Sequence, residues 1–181
     1  MKQVLCSLND GSVFLHESVR PSVGVNEVLV QTELTLISRG TEQMLVDFGR
    51  MSLVDKVRAH PERVADVLRK IERDGVVDTY NAVRAKLDSP IPLGYSNVGR
   101  IVDKGEHVVG LSVGDRVVSN GFHAEYVTVP ALNCALVPED VTSERAAFTV
   151  VASIALHAIR NARIEIGETV GVIGLGLIGL L

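Results

Sequence analysis

The sequence predicts a mainly β fold with added α-helices. Short β-rich segments separated by glycine turns fill much of residues 1–141 and predict a partly closed β-barrel. A helical insert at 44–89 interrupts them, because its apolar residues recur at helical spacing. Residues 142–181 then predict a linking helix, followed by the first strand and glycine turn of an incomplete α/β domain.

The first part of the chain contains three β-rich segments. Residues 4–6 begin one strand, a turn at 9–11 contains Asn-Asp-Gly, and β-forming residues continue over 12–17. Residues 27–37 alternate in polarity well enough for one long strand with a buried face. The polar residues 38–42 that follow are predicted to form a turn.

The insert has the pattern of packed helices. Pro61 is suited to the first position of a helix, and Gly75 is predicted to end that helix as a C-cap. Its apolar stripe consists of Val64, Val67, Leu68 and Ile71. Asp78 is predicted to cap a second helix that carries Tyr80, Val83 and Leu87. A shorter helix is expected at about 53–59.

Short strands return after residue 90. They are predicted at 98–103, 108–110, 116–119 and 124–130, and this regular spacing favours a small barrel or sandwich. Thr142 is predicted to cap the following helix. That helix carries a wide apolar stripe, consisting of Ala146, Ala147, Val150, Val151, Ile154, Ala155 and Ala158.

Composition excludes several classes of function. The net charge of −4 gives no reason to expect nucleic acid or an anionic membrane as a partner. Neither a secretory signal nor an apolar run of membrane-spanning length is visible. Cys6 and Cys134 make neither a disulfide framework nor a metal cluster, so a reduced, cytoplasmic compartment is expected.

The strand predicted at 169–173 leads into the pattern G-x-G-x-x-G, made by Gly174, Gly176 and Gly179. In a dinucleotide-binding turn these glycines allow a tight turn, close approach of a pyrophosphate and close helix–strand packing. A purely structural αβ turn is the alternative. The acidic residue that would distinguish NAD from NADP comes about 20 residues later, beyond residue 181. Cofactor binding is therefore expected only in a longer chain.

Several motifs follow one another in a definite order: PLGYSNVGRIV at 92–102, VGDRVV at 113–118, HAEYVTVP at 123–130, and the glycine pattern. In this order they resemble the medium-chain dehydrogenase/reductase superfamily. That resemblance implies a GroES-like substrate domain at 1–141, followed by part of a Rossmann domain. It also implies an NAD(P)-dependent oxidoreductase that acts on an alcohol/carbonyl pair.

The chain lacks the zinc ligands that the zinc-binding members of this superfamily carry. Those members carry a cysteine after the long early strand, a histidine in a G-H-E triplet, and a third ligand on the capped helix. Here residues 38–42 contain no cysteine, the triplet is Gly94-Tyr95-Ser96, and Val150 stands at the third place. A structural zinc lobe is also missing, because residues 119–123 lead directly into the next strand. We therefore expect a zinc-independent enzyme.

A zinc-free enzyme still needs groups that stabilise charge on the substrate oxygen. By motif position the candidate catalytic residues are Ser38, Arg39 and Tyr95, with Glu42 as a neighbouring acid. Tyr95 is interpreted as a proton donor or as a pocket-lining residue, and Arg39 as a binder of a phosphate or carboxylate. The alternative is that Ser38 and Arg39 only satisfy turn backbone and that Tyr95 only packs. His123 is also of interest, because it follows the loop that replaces the zinc lobe.

The turn at 38–42 and the helical insert are similar to the N-terminal half of bidomain oxidoreductases from bacterial polysaccharide-synthesis clusters. This resemblance implies a sugar-related small-molecule substrate. The competing hypothesis is a truncated, non-catalytic GroES-like module used for binding or assembly. A homo-oligomer is compatible with either function.

Overall fold

The structure, a computed structural model, describes residues 1–52, 55–56, 58, 69, 73 and 75–181, with the side chains of Ala82, Val83 and Lys86 left out. Its contacts divide the chain into two units. The first unit contains residues 1–3, 17–38 and 94–181, and the second contains residues 4–16 and 39–93.

The described residues form eight strands. They are β1 Lys2–Cys6, β2 Val13–Glu17, β3 Glu27–Thr35, β4 Ile91–Pro92, β5 Asn97–Lys104, β6 Arg116–Ser119, β7 Tyr126–Pro130 and β8 Cys134–Leu136. The helices are α1 Arg39–Arg50, α2 Val76–Asp88, α3 Ser143–Ala146, α4 Thr149–Ala162 and α5 Leu177–Leu180, with a 3₁₀ turn at Ala131–Asn133. None of the described helices is long and apolar enough to cross a membrane.

An antiparallel five-stranded sheet, in the order β7-β3-β5-β6-β8, dominates the first unit. The sheet is open, with β7 and β8 at its edges. This confirms the predicted sheet-rich class with a barrel that is only partly closed. The strand predicted at 108–110 is wrong: that segment forms no strand, and Val109 is almost fully exposed. The short β8 was not predicted.

The two faces of the five-stranded sheet carry separate apolar clusters. Valines dominate one face, where Val28, Val30, Val117, Val127 and Val129 pack with Ile101, Val108 and Leu111. On the other face, Val98 and Val118 pack against Ala146 and Ala147 at the end of α3. Successive side chains of a strand point to opposite faces, so one sheet supports both clusters.

Pairing of β3 with β5 contains a bulge at Glu33. Thr32 lies opposite Gly99 and Leu34 lies opposite Val98, so Glu33 is an extra residue on β3. Its carboxylate forms an ion pair with Arg100 (3.1 Å) and accepts a hydrogen bond from the hydroxyl of Ser143 (2.8 Å). Because of this extra residue, Thr32 and Thr35 lie on the same face of the sheet although they are three positions apart.

The helix predicted after Thr142 is present, and the predicted cap is confirmed: the Thr142 hydroxyl accepts from the backbone N–H of Arg145. Two parts of that prediction are wrong. The helix is divided into α3 and α4, and the buried stripe is narrower than the sequence suggested. Ile154 is 46% exposed, whereas Val151 and Ala155 are buried. The described contacts cover only one side of α4, which accounts for the narrower stripe.

The strand predicted at 169–173 is not formed. A strand needs a hydrogen-bonded neighbour, and no other strand in the described parts of the chain pairs with this segment. The glycine turn and the short α5 that follow are nevertheless present.

In the second unit, the predicted polar turn at 38–42 is wrong, because α1 begins at Arg39. Glu42 in its first turn and Arg50 in its last turn both interact favourably with the helix dipole. Gly75 stands at the N-cap of α2, and Asp78 lies in the first turn instead of capping it. The helix predicted from Pro61, with its stripe of Val64, Val67, Leu68 and Ile71, lies outside the described residues.

Close backbone contacts join the remaining parts of the second unit. β1 pairs with β4, with Leu5 opposite Pro92. The turn predicted at 9–11 is confirmed: Gly11 has a φ of 70°, and hydrogen bonds led by the one from the Ser12 N–H lower the pKa of Asp10 to about 2. A Cβ at Gly49 would lie 2.5 Å from the Cα of Gly11, so this contact with α1 requires glycine.

Lys56 is nearly buried, and its ammonium group donates to the carbonyls of Leu8 (2.7 Å) and Gly49 (3.1 Å). We expect Lys56→Met to lower the free energy of unfolding by about 1–3 kcal/mol, because the buried Gly49 carbonyl and the partly buried Leu8 carbonyl would both lose a charged donor. Urea denaturation measures this change. The exposed Lys2→Met is the matched control and should change stability by less than about 0.5 kcal/mol. Equal effects of the two substitutions would contradict the assignment.

Candidate functional site

Three strand ends place a row of polar residues at one end of the five-stranded sheet. Thr35 of β3 lies opposite Asn97 of β5, which lies opposite Ser119 of β6. Cross-strand partners point to the same face, and Ser119 shares its face with the core residue Val117. The row therefore closes one end of the valine-lined face.

Ser96 anchors the loop before β5. Its buried hydroxyl donates to the carbonyl of Ala147 (2.6 Å), and its own carbonyl accepts from the N–H of Leu36 (3.1 Å). Ser96 stands where zinc-binding relatives would carry the acid of the G-H-E triplet. Here it connects the sheet to the junction between α3 and α4.

Two of the three predicted site residues lie in the first unit. Tyr95 is half-buried in the anchored loop, and its hydroxyl makes no hydrogen bond to the described residues. Ser38 is buried, two positions after Leu36, so the bond between Leu36 and Ser96 brings the segments of both candidates together. Arg39 is exposed at the start of α1 and belongs to the second unit, together with the buried Glu42.

His123 is closer to this site than the sequence indicated. The residue is 9% exposed, and its Nδ1 lies 2.8 Å from the hydroxyl oxygen of Thr35. A Cβ at Gly94 would lie 2.7–2.8 Å from three ring atoms of His123. The imidazole therefore packs directly against the backbone that precedes Tyr95.

Asn97 is a buried polar residue that the sequence reasoning missed. Its Nδ2 donates to the hydroxyl of Thr32 (2.7 Å), whereas its buried Oδ1 has no hydrogen-bond partner among the described residues. An Asn directly before the strand predicted at 98–103 is the one signal that could have revealed it, because Asn is depleted in strands. A buried unpaired carbonyl oxygen is costly and is commonly met by water or a ligand.

The three glycines of the C-terminal turn have the geometry that their pattern predicts. Gly174 has a φ of 91°, which favours glycine, and Gly176 is the N-cap of α5. A Cβ on Gly176 would meet no atom within 4 Å, whereas one on Gly179 would collide with the carbonyl oxygen of Gly174. The second position is thus open to a ligand, and the third allows close packing.

Comparison with known proteins agrees with this architecture. Residues 66–139 match the alcohol dehydrogenase GroES-like domain. L-threonine 3-dehydrogenase of Pseudoalteromonas atlantica is 22% identical over 211 aligned positions, which cover 100% of this chain and 52% of that protein. The chain belongs to the medium-chain dehydrogenase/reductase superfamily. It spans about half the length of the superfamily relatives that it matches.

Solved structures share the fold. A short chain alcohol dehydrogenase from Escherichia coli CFT073, complexed with NADH, aligns with a TM-score of 0.71 and 21% identity, over 99% of this chain and 51% of that chain. Galactitol-1-phosphate dehydrogenase from Escherichia coli aligns with a TM-score of 0.64 and 23% identity, over 99% and 50%. At these identities the likeness establishes the fold alone.

The donor set expected for zinc in this superfamily does not fit the side chains present. A hydroxyl at Ser38, a phenol at Tyr95 and the apolar Val150 stand where thiolate, imidazole or carboxylate ligands are needed. Within the described part of the chain, no three His, Cys, Asp or Glu side chains are grouped to hold a metal. Burial raises the pKa of the Cys134 thiol to about 11, which keeps it protonated at neutral pH.

Ser96→Ala should lower the free energy of unfolding by about 1–3 kcal/mol, because the buried Ala147 carbonyl would lose its donor. Ser153→Ala is the matched control, since that hydroxyl donates to the Val150 carbonyl over a similar distance (2.7 Å) but is exposed. Its loss should cost less than about 0.5 kcal/mol. Denaturant titrations measure both. A Ser96 effect as small as that of Ser153 would show that the anchor is unimportant.

Gly176→Ala and Gly179→Ala should separate the two roles in the glycine turn. We expect Gly179→Ala to shift the backbone amide NMR signals of residues 174–180, because its Cβ would displace the Gly174 carbonyl. Gly176→Ala should leave signals more than two residues away unchanged, because its Cβ would enter open space. Similar shifts from both substitutions would refute the packing role of Gly179.

Proposed function

We propose that this chain is the substrate-side portion of a zinc-independent, NAD(P)-dependent oxidoreductase acting on an alcohol/carbonyl pair. The observation that carries the proposal is the glycine turn, whose second position is open and whose third is closely packed. Membership of the superfamily supports it. The proposal includes a GroES-like domain at 1–141 and the beginning of a dinucleotide-binding domain at 142–181.

In this proposal Gly174, Gly176 and Gly179 form the cofactor-binding turn. Backbone at Gly176 accommodates the pyrophosphate at the start of α5, where helix N–H groups favour an anion. The nicotinamide supplies or accepts the hydride when it is bound. The relative complexed with NADH supports this class of cofactor, and the choice between NAD and NADP is left to experiment.

Tyr95 and Ser38 act on the substrate oxygen in the absence of zinc. A phenolic or aliphatic O–H donor stabilises negative charge that develops on a carbonyl oxygen during reduction. The anchored Ser96 holds the Tyr95 loop, and the hydrogen bond between Leu36 and Ser96 brings the Ser38 segment beside it. Arg39 is proposed to hold an anionic substrate group through its exposed guanidinium.

The proposed substrate is a small, sugar-related alcohol or carbonyl compound. Galactitol-1-phosphate dehydrogenase, named for a sugar-alcohol phosphate, is among the structures that share this fold. A phosphate would also suit the proposed role of Arg39. We place the protein in the cytoplasm, with no nucleic-acid or membrane partner, and homo-oligomerisation is compatible with this function.

Cofactor titration is the first test. We expect the polypeptide encoded by the whole open reading frame to bind NADH or NADPH with a micromolar dissociation constant, and the 181-residue chain to bind at least 100-fold more weakly. The shorter chain contains the glycine turn but little else of such a domain. Isothermal titration calorimetry measures both. Lack of binding by the longer polypeptide would favour the non-catalytic module.

Tyr95→Phe in the longer polypeptide should lower kcat by about 10²–10³-fold, the typical loss when one oxyanion donor is removed. Initial rates with galactitol 1-phosphate, 2,3-butanediol and L-threonine would measure the effect on whichever compound is turned over. Tyr126→Phe is the control, since it keeps the ring over which Arg20 is stacked. Unchanged activity of Tyr95→Phe would assign Tyr95 to packing.

Loss of activity with EDTA would contradict zinc independence.

A further inference from the structure

His123 carries the further inference, because it connects three segments of the candidate site. Its ring touches the backbone of Gly94 and bonds to Thr35 at the end of β3, while the residue itself lies in the loop between β6 and β7. All of these residues belong to the first unit. We propose that His123 is a positioning residue that holds Gly94, and through it Tyr95, at the polar end of the sheet.

Contact between His123 and Gly94 depends on the absence of a side chain at Gly94. A Cβ there would lie 2.7 Å from Nδ1 and 2.8 Å from both Cε1 and Cγ, so one face of the imidazole occupies that space. Gly94 also has a φ of 92°, which other residues rarely adopt. The ring and the glycine backbone therefore restrict each other's position.

Thr35 restricts the remaining freedom of the imidazole. Its hydroxyl oxygen lies 2.8 Å from Nδ1, within hydrogen-bonding distance. Thr35 is itself fixed, because it is β-branched and pairs with Asn97 in the sheet. The strand pairing that sets the polar row therefore also holds one partner of the His123 ring in place.

Tyr95 lies between two buried attachments. On one side, the backbone of Gly94 is covered by His123; on the other, Ser96 is bonded to the Ala147 carbonyl. Neither attachment uses the Tyr95 side chain, so both act through the backbone. A misplacement of about 1 Å at a reacting group can cost about 10²-fold in rate, so attachments of this kind affect catalysis without touching substrate.

This inference rests on the proposed function for its catalytic consequence, but the positioning itself can be measured in the 181-residue chain. With ¹³C-labelled tyrosine, the ring signals of Tyr95 should shift in His123→Leu and in Thr35→Val, whereas those of Tyr80 and Tyr126 should not. Thr35→Ser keeps the hydroxyl and should restore the Tyr95 signals. His107→Leu, an exposed histidine in another loop, is the matched control.

Kinetics of the longer polypeptide test the catalytic consequence. His123→Leu and Thr35→Val should lower kcat by about 10–100-fold with little change in the KM for NADH or NADPH, and His123→Asn should recover part of the loss. If the Tyr95 ring signals shift in neither His123→Leu nor Thr35→Val, the inference is overturned. Thr35→Val keeps the test valid if His123→Leu does not fold. Shifted Tyr95 signals without any cofactor binding would leave positioning intact and refute the proposed function instead.

Discussion

The pairing of β3 with β5 is the constraint on which the first unit depends. β7 takes its register from β3, and β6 takes its register from β5, so these two central strands set the whole sheet. A slip of one residue would turn Val30 and Ile101 out of the valine-lined core. The same register places Thr35 opposite Asn97. Packing of the core and placement of the polar row therefore have one cause.

The bulge at Glu33 changes which face of the five-stranded sheet the last residues of β3 occupy. It returns Thr35 to the face that already carries Thr32, so that both lie on the same side as Asn97. Glu33 itself is exposed and bonds Arg100 and Ser143. The exposed ion pair with Arg100 contributes little stability. The hydrogen bond with Ser143 has a geometric role, because it links the bulge to the start of α3.

Local sequence chemistry was enough for some elements and not for others. The bounds of β6 and the Thr142 cap could be predicted, because each depends on a few adjacent residues. The start of α1 at Arg39 could not be predicted. Ser, Gly and Thr are common in turns, so residues 38–42 alone do not distinguish a turn from the first turn of a helix. Three of the site's features depend on contacts distant in sequence: the bond of Ser96 to Ala147, the packing of His123 on Gly94, and the burial of Asn97. Sequence position could place Ser38 and Tyr95 near one another, but not identify what holds them.

In the C-terminal segment, the glycine turn is present without the strand that usually precedes it. Residues 169–173 form no strand, yet Gly174 adopts its left-handed conformation and Gly179 packs on the Gly174 carbonyl. The turn is therefore a local structure set by the glycines, whereas the strand depends on neighbours. It follows that the glycine pattern by itself predicts the turn and not the sheet. The proposed dinucleotide function therefore rests on this turn taken together with the upstream motifs, whose strands and anchored loop place Tyr95 and Ser38 in one unit.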